Sequence, residues 1–179
     1  RHFGLPEVAD YWESVVALNT WQQHRIARLV VEKLFGTVTG KRLAILGFAF
    51  KADTNDTREA PAIRICRDLL EEGAQLAIHD PKVEAQQMAR DLQQEAAPQA
   101  DALSGTGSWA KACSIEDAVV GADAVLVLTE WQHYRDLNWM SLAARMRKPA
   151  WVFDARAVAD PEQVRAAGLT LWRVGDGEA

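Results

Sequence analysis

Residues 43–63 read LAILGFAFKADTNDTREAPAI, and their reading decides the fold. RLAILGFAF, from Arg42, is an unbroken apolar run that meets a glycine, the mark of a strand covered on both faces. APAIRICRDLLEEGA then follows at helical spacing and stops at Gly73. A strand, a loop and a helix in that order open a nucleotide-binding βα unit. The glycine-rich phosphate loop is nevertheless missing. G-x-G-x-x-G lets a backbone approach a pyrophosphate, but here the three positions are Gly47, Ala49 and Ala52. Each alanine adds a Cβ where the chain must come close, so the loop is a poor dinucleotide grip. Phe50, Lys51 and the polar run TNDTRE stand in its place.

Outward from this unit the pattern repeats. QLAIHDP is a short strand ended by Asp80-Pro81, and VEAQQMARDLQQ is a polar helix. Residues 95–108 read as a loose loop, and the stretch around WAKAC as a short edge strand. SIEDAVVGA, NWMSLAARM and residues 161–167 read as helices between the strands DAVLVLTEW, KPAWVFDAR and LTLWRV. This alternation predicts an α/β fold: a parallel sheet with right-handed crossovers and helices on both faces. Before it, apolar residues at 8, 12, 15, 18, 26, 29, 30 and 34 predict one long helix from Pro6 toward Gly36. About 29 residues at roughly 1.5 Å each span on the order of 44 Å, longer than one small domain. The chain divides accordingly into residues 1–39, a linking or dimerising helix, and residues 40–179, the sheet domain. The alternative is a helix lying along its own domain's core.

Bulk properties narrow the function. Net charge is -5 and the isoelectric point about 5.4, so no basic face invites nucleic acid or an anionic membrane. No apolar run approaches the roughly 20 residues of a membrane span. The two cysteines, Cys66 and Cys113, have no paired spacing, which fits a reducing, cytoplasmic setting. His2, His24, His79 and His133 share no metal-ligand spacing, so no metal site is expected. The chain begins at Arg1, and it reads as a piece of a longer protein.

In an open parallel sheet, ligands sit beyond the carboxyl ends of the strands. Three such ends are polar: Phe50-Lys51 with Asp53 to Arg58, Thr129-Glu130-Trp131, and Asp154-Ala155-Arg156. Lys51 can meet a phosphate or sugar oxygen as a point charge. Asp56-x-x-Glu59 also fits a capping box for the next helix, so the run from Asp53 to Thr57 is either ligand loop or turn and cap. Arg156 either reaches into the crevice or forms an ion pair with Asp154. Asp80 is either a ribose-binding acid or the start of a turn.

GFAFKADTNDTRE, IHDPKV, ADAVLVLTEW and VFDAR, in this order, resemble the carboxy-terminal part of the UDP-glucose 6-dehydrogenases. GLPEVADYWESVVALN resembles that family's long central helix. The related UDP-N-acetyl-hexosamine and GDP-mannose dehydrogenases share the domain, and their loops usually differ after FKA. The resemblance implies a Rossmann-like domain that binds UDP-glucose or UDP-glucuronate in an enzyme making two hydride transfers to NAD+. It implies NAD held mainly by a separate amino-terminal domain, which also carries the catalytic cysteine, so that this chain holds no catalytic residue and is inactive alone. By motif position, Phe50, Lys51 and Arg156 resemble substrate contacts, and Arg58 resembles the arginine that reaches the cofactor. Ala60 replaces a common Ser and Ala155 a common Gly. A homodimer through the long helix and a role in polysaccharide biosynthesis are further implications. Two rival readings are a stand-alone nucleotide-sensing module and a pure dimerisation domain.

Overall fold

The computed structural model describes residues 2–97 and 107–177. The chain opens with α1 (Pro6–Lys33) and continues β1 (Arg42–Leu46), α2 (Pro61–Glu71), β2 (Gln75–His79), α3 (Ala85–Leu92) and β3 (Ser108–Lys111). The second half runs α4 (Ile115–Val119), β4 (Ala124–Val127), α5 (Gln132–Arg135), α6 (Trp139–Ala143), β5 (Trp151–Asp154), α7 (Pro161–Ala166) and β6 (Thr170–Arg173). The six strands form one parallel sheet in the order β3-β2-β1-β4-β5-β6. This is the Rossmann-like α/β architecture that the alternation predicts, with helices around the sheet and one long helix before it. Most of the predicted loop over 95–108 lies outside the described residues, and Ser108 already belongs to the edge strand β3.

The central strands explain their own sequences. Leu43 to Leu46 in β1 and Ala124 to Val127 in β4 are all buried. Each fully buried Leu, Ile or Val is worth about 1.5–3 kcal/mol, so only uniformly apolar segments settle at the centre. The edge strand β3 is less covered, with Ala110 and Lys111 half-buried. Between β1 and β4 the winding reverses. The strand order therefore puts a topological switch point, the usual ligand crevice of such sheets, beside the carboxyl ends of these two strands.

The long helix has 28 residues, on the order of 42 Å. It stops at Lys33, three residues before Gly36, and Phe35 and Gly36 both take positive φ in the turn that follows. Its last third packs on α2 through Ile26, Ala27 and Val30, and His24 Nδ1 lies 2.6 Å from Asp68 Oδ2. The first two thirds leave Val8, Tyr11, Trp12, Leu18 and Trp21 exposed. The bland expectation of a helix lying wholly along its own core is therefore not met.

The capping box is a second departure. The N-cap of α2 is Ala60, without a side-chain cap, and Pro61 occupies the first turn. Asp56 instead folds back on Arg58, and Thr57 accepts a hydrogen bond from Gln87 Nε2 at 3.3 Å. Pro61 leaves one fewer unpaired N–H in the first turn, and Ile63 N donates to the carbonyl of Ala60 at 3.1 Å. The one-turn helix α5 was not anticipated, because four residues after TEW carry no readable period.

A candidate ligand site at the switch point

The loop after β1 is tied down residue by residue, and the chief anchor is Asp80. This side chain is buried at 2% exposure. Its Oδ2 accepts from Phe48 N at 2.8 Å, Ala49 N at 3.0 Å and Trp131 Nε1 at 3.3 Å. Its Oδ1 accepts from Lys82 N at 2.9 Å and Val83 N at 3.0 Å. Of the two readings for Asp80, the turn is the one seen, and its carboxylate takes no free place at a ribose. A dinucleotide-binding loop offers the amides that follow its first glycine to a pyrophosphate. Here Phe48 and Ala49 give those amides to a protein carboxylate. The residues present thus do not fit the pyrophosphate of NAD at this loop.

Gly47 makes the arrangement possible. It has φ of 96°, and a Cβ built there would lie 2.4 Å from Thr129 Cβ and 2.7 Å from Thr129 N. Thr129, itself fully buried, donates to Ala49 O at 2.7 Å and binds the β4 end to the loop. Farther along, Phe50 N donates to Asp56 O at 2.9 Å and Lys82 Nζ to Asp53 O at 3.0 Å. The loop is therefore rigid before any ligand arrives.

Arg156 crosses the switch point from the end of β5. Its Nε donates to Leu128 O at 2.8 Å and its Nη2 to Phe50 O at 3.4 Å. Of the two readings for Arg156, the ion pair with Asp154 is not the one seen. Asp154 is fully buried and accepts backbone hydrogens instead, from Arg156 N at 3.0 Å and Ala159 N at 2.7 Å. The Arg156 charge faces Glu130, with Nε 3.6 Å from Oε2. A guanidinium has five N–H donors. One is held by Leu128 and one by Phe50, and among the described residues the Nη1 pair and the second Nη2 hydrogen have no partner. A planar fork is left for an anion.

A cleft of about 630 Å³ opens here, and Phe50 and Arg156 both line it. Ile26, Ile65 and Leu128 give it apolar walls, and Arg64 adds a second guanidinium against the single carboxylate of Glu59. The α1 residues Asn19, Gln22 and Gln23 form the opposite side, so the long helix is part of the site. Sequence reading assigned the helix no such role, because amides on an amphipathic helix look like an ordinary solvated face.

The other expected site residues lie apart from this fork. Lys51 is exposed, is not among the residues lining the cleft, and its charge acts on Asp56. Arg58 is also outside the lining, and its side chain is 88% exposed. It binds Asp56 with Nε 3.0 Å from Oδ1 and Nη2 2.7 Å from Oδ2. That bonding holds the Asp56 carboxyl at about 2 and raises Arg58 above its ordinary value. Cys66 is fully buried, which pushes its thiol up, and Cys113 is exposed beyond the edge strand. Among the described residues, no cluster of three or more His, Cys, Asp or Glu is placed to hold a metal, and no helix is long and apolar enough to cross a membrane.

A reversed-winding parallel sheet with a cationic cleft at its switch point defines a Rossmann-like domain. Residues 44–161 match the family described as UDP-glucose/GDP-mannose dehydrogenase family, UDP binding domain. Among curated relatives, UDP-glucose 6-dehydrogenase 5 of Oryza sativa subsp. japonica is 41% identical over 179 residues, covering 96% of this chain and 37% of that protein. UDP-glucose 6-dehydrogenase of Drosophila melanogaster is 40% identical, covering 98% of this chain and 37% of its own. The chain belongs to the UDP-glucose/GDP-mannose dehydrogenase family, and it spans little more than a third of the curated relatives' length. A UDP-glucose dehydrogenase from the archaeon Pyrobaculum islandicum shares the fold at a TM-score of 0.62 and 24% identity, over 89% of this chain and 31% of that one.

Proposed function

We propose that the chain is the sugar-nucleotide-binding part of an NAD-dependent UDP-glucose 6-dehydrogenase, which oxidises UDP-glucose to UDP-glucuronate. Residues 40–179 form the binding domain and residues 1–39 the linking helix. The single observation that carries the reading is the Arg156 guanidinium, anchored on Leu128 O and Phe50 O with one edge unpartnered, in the lining of a switch-point cleft. Relatives about 40% identical, all named UDP-glucose 6-dehydrogenases, favour glucose over an N-acetyl-hexosamine or GDP-mannose.

In this reading Arg156 clamps a phosphate oxygen pair through two parallel N–H bonds, the geometry that suits guanidinium better than ammonium. Phe50 covers an apolar face of the ligand, and Lys51, which lies outside the cleft lining, reaches a sugar or phosphate oxygen only by extending its side chain over the rim. Arg58 turns outward, toward a nicotinamide cofactor held by another domain. The cofactor would supply hydride acceptance there, one hydride to each of two NAD+. What this chain's residues do is bind and orient the sugar nucleotide. A cysteine nucleophile also belongs to the other domain, so the chain alone is inactive. The setting is cytoplasmic, and the product serves polysaccharide biosynthesis.

Two charge-assisted contacts, each about 1.5–3 kcal/mol, support a millimolar constant for UDP-glucose, roughly −4 kcal/mol. NMR titration of the chain checks this. UDP-glucose shifts the signals of Lys51 and Arg156 more than NAD+ does, and a preference for NAD+ would overturn the assignment. The exposed apolar residues of α1 further support a homodimer through this helix. Light scattering tests that, since a monomer with intact α1 would end it.

A further inference from the structure

We infer that Glu130 is a positioning residue of the ligand site, acting through Arg156; the inference rests on the sugar-nucleotide reading above. Glu130 follows Thr129 at the end of β4, between the β1 loop and Arg156. It touches both neighbours loosely. Ala52 N lies 3.5 Å from Oε1, at the limit of a hydrogen bond, and Arg156 Nε lies 3.6 Å from Oε2, beyond it. Oε2 is buried and has no hydrogen-bond partner among the described residues. A buried carboxylate oxygen without a donor is an unfavourable state, and the Arg156 guanidinium, 3.6 Å away, is a donor group that can relieve it.

Arg156 Nε donates to Leu128 O at 2.8 Å, and Glu130 Oε2 stands 3.6 Å from the same nitrogen, at ion-pair distance. Together they fix the Nε side of the guanidinium plane against the protein. The opposite edge, with Nη1 and the second Nη2 hydrogen, is then held toward the cleft. Glu130 opposes the guanidinium charge from the Nε side and, through Ala52 N at 3.5 Å from Oε1, ties the fork to the segment that carries Phe50 and Lys51. Glu130 does not touch the ligand. Its role is to orient the fork and couple it to the loop.

The sign of one substitution separates this from plain electrostatics. A carboxylate near an anion site repels the anion, so charge alone makes Glu130→Gln bind tighter. Positioning makes it bind more weakly, because a neutral amide holds the guanidinium less firmly. UDP titrated into the full chain, followed by NMR at the Phe50 backbone amide, is expected to bind about tenfold more weakly in Glu130→Gln, equivalent to one charged hydrogen bond. In an Arg156→Ala background the same substitution is expected to change nothing, since its partner is gone. Glu130→Gln keeps the size of the side chain and one acceptor, and unchanged thermal melting verifies its fold. Tighter or unchanged UDP binding by Glu130→Gln, with binding weakened but still measurable in Arg156→Ala, overturns the positioning role and leaves the sugar-nucleotide reading intact. An equal loss from Glu130→Gln in the Arg156→Ala background also overturns it. Absence of UDP binding by the unsubstituted chain removes both.

Discussion

Replacing Asp80 with Asn tests whether one carboxylate organises the site. The change preserves shape and removes the charge and one acceptor. With its oxygen turned to the three donors on the Oδ2 side, Phe48 N, Ala49 N and Trp131 Nε1, the new amide NH2 faces Lys82 N and Val83 N. Donor then meets donor twice. Val83 is buried and its N–H stays unpaired, while Lys82 is exposed and its N–H recovers a partner in water. One buried unsatisfied donor costs about 1–3 kcal/mol, and three bonds to a charged acceptor become weaker neutral ones. The sum is about 3 kcal/mol, a large part of the 5–15 kcal/mol that holds a typical domain. For a chain of this length that corresponds to roughly 6–12 °C in melting temperature. Urea and thermal unfolding followed by tryptophan fluorescence read it directly, because Trp131 is one of the donors. UDP affinity falls with stability, since Phe50 and Lys51 lose their fixed base. A variant within about 0.5 kcal/mol of the parent would refute the account, because exposed substitutions stay within that range.

Two other outcomes follow from the same region. Gly47→Ala places a methyl 2.7 Å from Thr129 N at a φ of 96°, and it is expected to cost about 2–5 kcal/mol from strain and overpacking; an unchanged urea midpoint would show that β1 and β4 separate freely. His79 has its pKa below the ordinary value because burial disfavours its imidazolium, with His133 adding to this. Its neutral ring therefore contributes fully above pH 6.5, and that contribution is lost as pH falls below it. The melting temperature should drop between pH 7.5 and 5.5, and His79→Asn, which keeps a donor toward Tyr134 Oη, should flatten that slope.

The sheet was legible because its information is local and redundant. Buried runs such as LAIL and AVLV can hardly be anything but central strands, and the glycines and polar runs between them set the connections. The site was legible in part. Phe50 and Arg156 stand at strand ends, and any parallel sheet brings such ends together. The partner of Arg156 was not legible. Asp154 is two residues away and looks like the counter-ion, yet its carboxylate serves backbone amides, and the charge partner is Glu130 on another strand. The five bonds of Asp80 were hidden for the same reason, because Phe48, Ala49 and Trp131 approach it only after folding. Lys51 and Arg58 were named from their motif, but a motif gives no direction to a long exposed side chain.

The long helix touches the domain near one end and flanks the cleft near its middle, so it acts as a lever arm with its fulcrum around Ile26. From Ile26 to Pro6 is roughly 30 Å, and to Val16 roughly 15 Å. A tilt of about 10° would then swing the amino-terminal tip by about 5 Å and the cleft wall by about half as much. A contact that tilted the far end of this rod would change the width of the cleft by the same geometry.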